Sequence, residues 1–288
     1  MDLPGLQEGP VSERAPSAIA QARARVARRY PNVRVGTSGY SFADWVGSYY
    51  PAGIARGRMF DHYAADFDTV EINSTYYGIP SAKVFANLER KSPPAFEFLV
   101  KTHGSFTHQR DQAAANIPPL LEAVAPLREA GKLRGLLAQF PYSFRFAPAN
   151  LDYLRRQNDR LAGIPLFVEF RHDSWLHPEV KEALRQSQIG YCNVDEPPLP
   201  HLLPPEAAAT TPVGYIRLHG RNAAQWWEGG AERYNYQYSD DQLREWVGRL
   251  DSLRAQTDRI YVFFNNCHLG RAVRDAHRFL ELLGEEDA

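Results

Sequence analysis

Eight short apolar runs recur along this 288-residue sequence, and their rhythm constrains the fold more than any other feature. They are VRVGTSG (33–39), TVEINS (69–74), FEFLVKTHG (96–104), GLLAQFP (135–141), PLFVEFRH (165–172), GYCNVDEP (190–197), GYIRLHG (214–220) and IYVFFNN (260–266). Each is rich in β-branched and aromatic residues and is closed by turn residues, the pattern of a buried strand. Most segments between them have helical spacing, at 80–91, 118–132, 147–163, 177–188, 239–255 and 270–283. Boundary signals agree: a proline opens the first, a glycine lies near the end of the second, and Ser239 precedes two acids. PPLPHLLPPE, between the sixth and seventh runs, predicts a loop.

Strands alternating with helices in this number predict an α/β fold: a (β/α)8 TIM barrel, a single domain over 33–284. An N-terminal extension over 1–32, poorly ordered or helical, precedes it. A doubly wound open sheet is the competing architecture. It would carry a glycine-rich phosphate loop after its first strand, and GTSGY at 36–40 has neither GxGxxG nor Walker spacing. The bulk numbers accommodate one large domain or two small ones, with 44% apolar and 23% charged residues. A formal net charge of −1 argues against a global basic field for nucleic acid, though a local basic cleft is compatible with it. No apolar stretch is long enough to span a membrane, and the arginines at 23, 25, 28 and 29 are read as a basic lead-in rather than a transit peptide. Cys192 and Cys267 form no CxxC pair, so the expected compartment is reducing and cytoplasmic.

Side chains alternate along a strand, so the apolar set marks the face that meets the helices and the remainder points into the barrel. On the seventh run Ile216 and Leu218 face the helices, which turns Tyr215, Arg217 and His219 inward. The same parity turns Glu71 and Asn73 inward, then Lys101 and His103, then Glu169 and Arg171. Gly36 and Ser38, Gln139, Phe263 and Asn265 follow. On the sixth run, Cys192 and Val194 outward would place Asn193 and Asp195 inside. Barrel interiors are usually layered with bulky apolar residues, and catalytic groups stand at the C-terminal strand ends. A polar set at those ends therefore indicates a site.

The inward carboxylates (Glu71, Glu169, Asp195), fixed cations (Lys101, Arg171, Arg217) and histidines (His103, His219) suit more than one chemistry. Arginine forks match phosphate or carboxylate, which points to an anionic ligand. Glu71 and Glu169 lie across the ring and are candidates for acid and base, assisted by His219. Ion pairing inside the barrel without catalysis is the bland alternative. A divalent metal is a further one, but HExxH and HxH spacings are absent and the interleaved cations would repel it, so no metal ligands are assigned. Cys267-His268 and Ser38 lack the setting of an activated nucleophile. Trp175, Trp226, Trp227, Tyr40, Tyr76 and Tyr77 follow strands at the same mouth and could stack on a ring or only pack loops.

GTSGYSFADWVGSYYP, FDTVEINSTYYGIP, FLVKTHGSFTH, LLAQFP, VEFRHDSW, RLHGRN and FFNNCHLGRAVRDA, in that order over 33–284, together resemble the YecE-like family, also called domain of unknown function 72. The resemblance implies a TIM barrel and assigns no reaction. Its motifs fall on Gly36, Ser38, Gly39, Glu71, Asn73, Lys101, Gln139, Glu169, Arg171, Trp175, Arg217, His219, Gly220 and Asn265. Similarity to metal-dependent barrel nucleases and sugar isomerases is at the level of fold alone.

The expectation is a hydrolase or lyase acting on a small anionic, phosphate-bearing molecule or nucleic-acid fragment at the C-terminal mouth. Glu71, Glu169 and His219 would be catalytic. Ser38, Asn73, Lys101, Gln139, Arg171, Trp175, Asp195, Arg217 and Asn265 would bind substrate. A metal-dependent phosphodiesterase and a non-catalytic ligand or nucleic-acid binder are the alternatives. No cofactor and no membrane partner are expected, and the sequence does not specify an oligomeric state.

Overall fold

The structure, a computed structural model, describes residues 16–285; the first 15 positions of the N-terminal extension lie outside the described residues. Eight strands are present: β1 (Val33–Thr37), β2 (Thr69–Ile72), β3 (Glu97–Lys101), β4 (Leu133–Gln139), β5 (Leu166–Glu169), β6 (Ile189–Asp195), β7 (Val213–Leu218) and β8 (Arg259–Phe264). They pair in the order β1-β8-β7-β6-β5-β4-β3-β2, every pairing parallel. A parallel bridge from Ser38 to Glu71 joins the ends of that row, so the sheet is a nearly closed (β/α)8 TIM barrel.

The helices are α1 (Ala18–Arg29), α2 (Met59–Asp66), α3 (Ala82–Lys91), α4 (Ala113–Glu129), α5 (Pro148–Asp159), α6 (Pro178–Gln186), α7 (Asp240–Arg254) and α8 (Arg271–Gly284). Helix α1 comes before the barrel and packs on α8. The proline-rich β6–β7 connection holds no helix. Two boundaries differ from expectation. Helix α2 has no counterpart among the predicted helical segments. Helix α4 begins five residues before 118, so Pro118 and Pro119 lie inside it, each removing a backbone donor. Helix α7 starts as its sequence dictates: the Ser239 side chain accepts from the Gln242 amide, and Gln242 reaches back to complete a capping box. Among the described residues no helix is long and apolar enough to cross a membrane.

The interior is stacked along the barrel axis. At the N-terminal end Glu97 accepts from Tyr261 at 2.8 Å and pairs with Arg134 at 3.0 Å and Arg259 at 3.2 Å. In the middle the Phe167 ring packs against Tyr215, with ring centroids 4.9 Å apart. That ring occupies the space a Cβ on Gly190 or Gly135 would need, 2.3 and 2.5 Å away, so the strands flanking β5 must carry glycine there. The C-terminal layer is polar.

Predicted parity matches β2, β3, β5, β7 and β8, and is inverted on β6. The Asn193 amide bonds the Ala208 backbone, and Asp195 reaches Trp246 of α7, so both point away from the barrel axis. Cys192 instead faces Glu169, at 3.9 Å. All seven β6 residues are buried, so the strand has no solvent-facing face for polarity to mark. Parity then rests on guessing which polar residues are satisfied by the helix layer.

Candidate functional site

The polar layer is a lattice of ion pairs assembled from five strands. Arg217, on β7, bonds Glu169 at 2.5 Å through Nη1 and Glu71 at 2.7 Å through Nη2. The Tyr215 hydroxyl donates to the other Glu71 oxygen at 2.5 Å. Arg171, two residues past β5, pairs with Glu169 at 2.6 Å and with Glu196 at 2.7 Å. His219 Nε2 stands 3.2 Å from Glu169, and the Asn265 amide stands 2.9 Å from Nδ1. Arg171 Nη2, which can only donate, also stands 3.1 Å from Nε2, so that ring nitrogen is shared between the guanidinium and the Glu169 carboxylate. Trp226 lies against Arg171, its ring centroid 5.5 Å from the guanidinium carbon.

Burial and charge act against each other here. Burial alone would raise Glu169, but Arg171, Arg217 and His219 hold its carboxyl well below the usual range. Glu196 has fewer cations around it, and burial pushes it up to about 7. Burial, with Arg171 beside it, lowers His219 to about 3, so the ring is neutral near pH 7. Burial, with Arg217 nearby, also lowers Lys101, to about 8.

Above this lattice opens a cavity of about 730 Å³ at the C-terminal strand ends. Its polar half is lined by Ser38, Asn73, Lys101, Gln139, Arg171, Arg217 and Asn265. An apolar arm runs between the β2 end and α3, along Ile72, Val84, Phe85 and Leu88. Tyr40, Tyr76, Tyr77 and Arg56 also line it. Lys101 Nζ donates to Gln139 Oε1 at 2.9 Å and lies 4.5 Å from the Tyr76 ring centroid.

Seven of the predicted site residues thus meet at one cavity. Glu71, Glu169 and His219 do not line it. All three are fully buried behind the guanidinium groups, so direct proton transfer to a cavity ligand is not what their placement offers. Two further predicted binding residues lie elsewhere. Asp195 faces the helix layer, bonded to Arg221, Tyr238 and Trp246 at 2.7, 2.9 and 2.6 Å. Trp175 is buried, stacked on Phe170 with centroids 3.9 Å apart, and its indole N–H donates to the Phe144 carbonyl at 2.5 Å. It follows a strand end, but a fully buried ring whose one polar atom is satisfied is a packing residue. His103 also turns aside and caps the turn at Ser105. Glu196 was missed by the sequence reading; correct parity on β6 puts it on the barrel side, next in alternation after Cys192 and Val194.

Among the described residues, His172, Asp173 and His201 bring ligand-type atoms within 4.8 Å of one another, outside this cavity. His172 Nδ1 there already accepts the Ser174 amide at 3.0 Å.

Comparison with known proteins agrees with this barrel. Residues 34–288 match the family model described as "Protein of unknown function DUF72". The UPF0759 protein YunF of Bacillus subtilis (strain 168) is 29% identical over 272 residues, 88% of this chain and 95% of that protein. The crystal structure of a DUF72 family protein from Thermotoga maritima has a TM-score of 0.82 at 40% identity, covering 88% of this chain and 99% of that one. One from Enterococcus faecalis V583 has a TM-score of 0.79 at 26% identity, covering 89% and 97%.

Proposed function

We propose that this chain, which belongs to the DUF72 family, is an enzyme that takes a small anionic molecule into the cavity at the C-terminal mouth of its barrel. One observation carries the proposal. Among the described residues the cavity is lined by Arg56, Lys101, Arg171 and Arg217 and by no Asp or Glu. The carboxylates that balance the two inner arginines lie behind them, which leaves the face toward the cavity cationic. Low-dielectric walls strengthen such a field at the ligand. Asn73, Gln139 and Asn265 supply neutral amides that can orient hydroxyl or carbonyl groups. The apolar arm and tyrosines favour a ligand with a carbon skeleton over a bare ion.

Of the two reaction classes expected from sequence, lyase chemistry fits better than hydrolysis. Among the described residues no carboxylate lines the cavity to activate a water molecule. A metal-dependent phosphodiesterase gains no support. Glu71, Glu169, Glu196 and His219, ligand-type residues of the interior, are engaged by arginines or by one another.

Thermal-shift measurements with inorganic phosphate, sulfate, pyruvate, sugar phosphates and their neutral counterparts test the anion site. Binding to the native state raises stability by RT ln(1 + [L]/Kd), about 2.7 kcal/mol at a hundredfold excess over Kd. Stabilisation by anions that is lost in Lys101→Met supports the proposal. Equal response to neutral and anionic compounds overturns it, and a response to divalent metal alone would restore the phosphodiesterase reading.

A further inference from the structure

Only five of the 33 basic residues are lysines: Lys83, Lys91, Lys101, Lys132 and Lys181. Three of them are ion-paired: Lys91 with Asp61 at 3.3 Å, Lys132 with Glu89 at 3.1 Å and Lys181 with Glu206 at 2.8 Å. Lys83 is exposed on α3. Lys101 differs from all four. It stands at the end of β3 in the cavity wall, and among the described residues no carboxylate lies within ion-pairing distance of it. Its hydrogen-bond partner is the neutral amide of Gln139, and the Tyr76 ring covers one side.

Arginine serves an anion better than lysine, through its fixed fork, and it keeps its proton in proteins. This chain uses arginine for almost all of its basic positions, including the two others in the inner cavity wall. A lysine in the same cavity wall brings one property that arginine lacks, an amine that can shed its proton and attack carbon.

We propose that Lys101 is the nucleophile of this cavity: its Nζ condenses with the carbonyl carbon of a small aldehyde or ketone that carries a carboxylate or phosphate. Arg171 reaches the same space and would hold the anionic group, with the buried Arg217 adding its charge from behind. The inference rests on the anion-site reading above and names its substrate class. In the net step a C–N bond forms and the carbonyl C–O bond breaks. The ammonium and the carbonyl compound become a protonated imine and water: two ammonium protons leave with the oxygen, and the third stays on nitrogen. The resulting cation withdraws electrons from the adjacent carbon, which is the requirement of carbon–carbon lyase and dehydratase reactions.

Three features of the site favour the neutral amine. Burial penalises the ammonium form, Arg217 and Arg171 repel it, and these outweigh the attraction of Glu169 and Glu71; together they lower Lys101 to about 8. At neutral pH a substantial fraction of Lys101 is then free amine, the form that attacks a carbonyl carbon.

Reductive trapping reads this directly. The whole protein is incubated at about pH 7.5 with cyanoborohydride and, in separate arms, pyruvate, dihydroxyacetone phosphate or uncharged dihydroxyacetone, and adducts are located by peptide mass mapping. The expected result is an adduct at Lys101 formed at least about tenfold faster than at exposed Lys83, because the cavity holds the anionic carbonyl compound against the Lys101 amine. It forms with an anionic carbonyl, is slowed by inorganic phosphate and is absent in Lys101→Arg. Whether pyruvate or dihydroxyacetone phosphate reacts faster tells a carboxylate ligand from a phosphate one. Phosphate protection is read on the unaltered protein, so the test survives a variant that fails to fold. Labelling of Lys101 no faster than Lys83 overturns the nucleophile; if phosphate still stabilises the protein, the anion site stands without it. Trapping at Lys101 that is equally fast with uncharged dihydroxyacetone and indifferent to phosphate upholds the amine and overturns the anionic substrate class.

Discussion

Replacing Arg217 with methionine retains an unbranched side chain but withdraws the guanidinium that bridges two buried carboxylates. Glu71 and Glu169 are both fully buried and lie 2.7 and 2.5 Å from it. Breaking a buried pair by removing one partner destabilises by about 3–5 kcal/mol, because the remaining charge is uncompensated. The two glutamates are not equally exposed to that loss. Glu169 keeps Arg171 at 2.6 Å, whereas Glu71 is left with the Tyr215 hydroxyl. The penalty should therefore approximate that of one orphaned carboxylate, about 3–5 kcal/mol, rather than two. At roughly 2–4 °C per kcal/mol for a chain of this size, the melting temperature should fall by about 6–20 °C. Urea unfolding gives the free energy directly. Adding Glu71→Gln to Arg217→Met should recover at least about half of the loss, since the amide carries no charge and can still accept from Tyr215. Adding Glu169→Gln should recover less, because it strips Arg171 of a partner. A melting temperature within about 2 °C of the parent, or equal rescue by the two glutamine changes, would refute the assignment of Arg217 as the counter-charge of this layer.

Three other outcomes follow from the same geometry. Lys101 is lowered from 10.5 to about 8 in the folded protein, so the unfolded chain binds the proton more tightly and stability should rise between those pH values; urea titrations showing the same rise in Lys101→Met would contradict this. His219 is depressed from 6.5 to about 3, so its contribution to stability is lost as pH falls below about 6.5, and its imidazole NMR signals should keep their neutral-form positions down to about pH 5; a titration midpoint near 6.5 would mean that the ring is solvated. Trp175→Ala should cost about 3–5 kcal/mol in unfolding experiments, as for other buried aromatic truncations. Its ligand affinity should be unchanged at temperatures where it is folded, and a selective loss of binding without loss of stability would return Trp175 to the cavity wall.

The positions that led to the site were legible because they obeyed one rule, alternation along a strand. On β7, Ile216 and Leu218 are unambiguous, so Arg217 and His219 had to point inward. On β6 the rule had nothing to discriminate. Both faces are buried, Asn193 and Asp195 are satisfied by the helix layer, and Glu196 was overlooked as a consequence. Trp175 failed for a different reason. A residue just past a strand end can turn toward the mouth or fold back under the loops, and the stack on Phe170 decides for the second.

Strand order along the chain, the barrel and the polar character of its C-terminal end were set by the sequence, because local periodicity and turn residues act over a few positions at a time. Which polar groups face the cavity was decided only by the tertiary structure. Arg217 and Glu71 are 146 residues apart and meet at 2.7 Å, and no local pattern encodes that contact. Those long-range pairings neutralise the glutamates and draw them behind the arginines. They leave Lys101, with no carboxylate within ion-pairing distance among the described residues, facing the cavity with an amine that burial lowers to about 8.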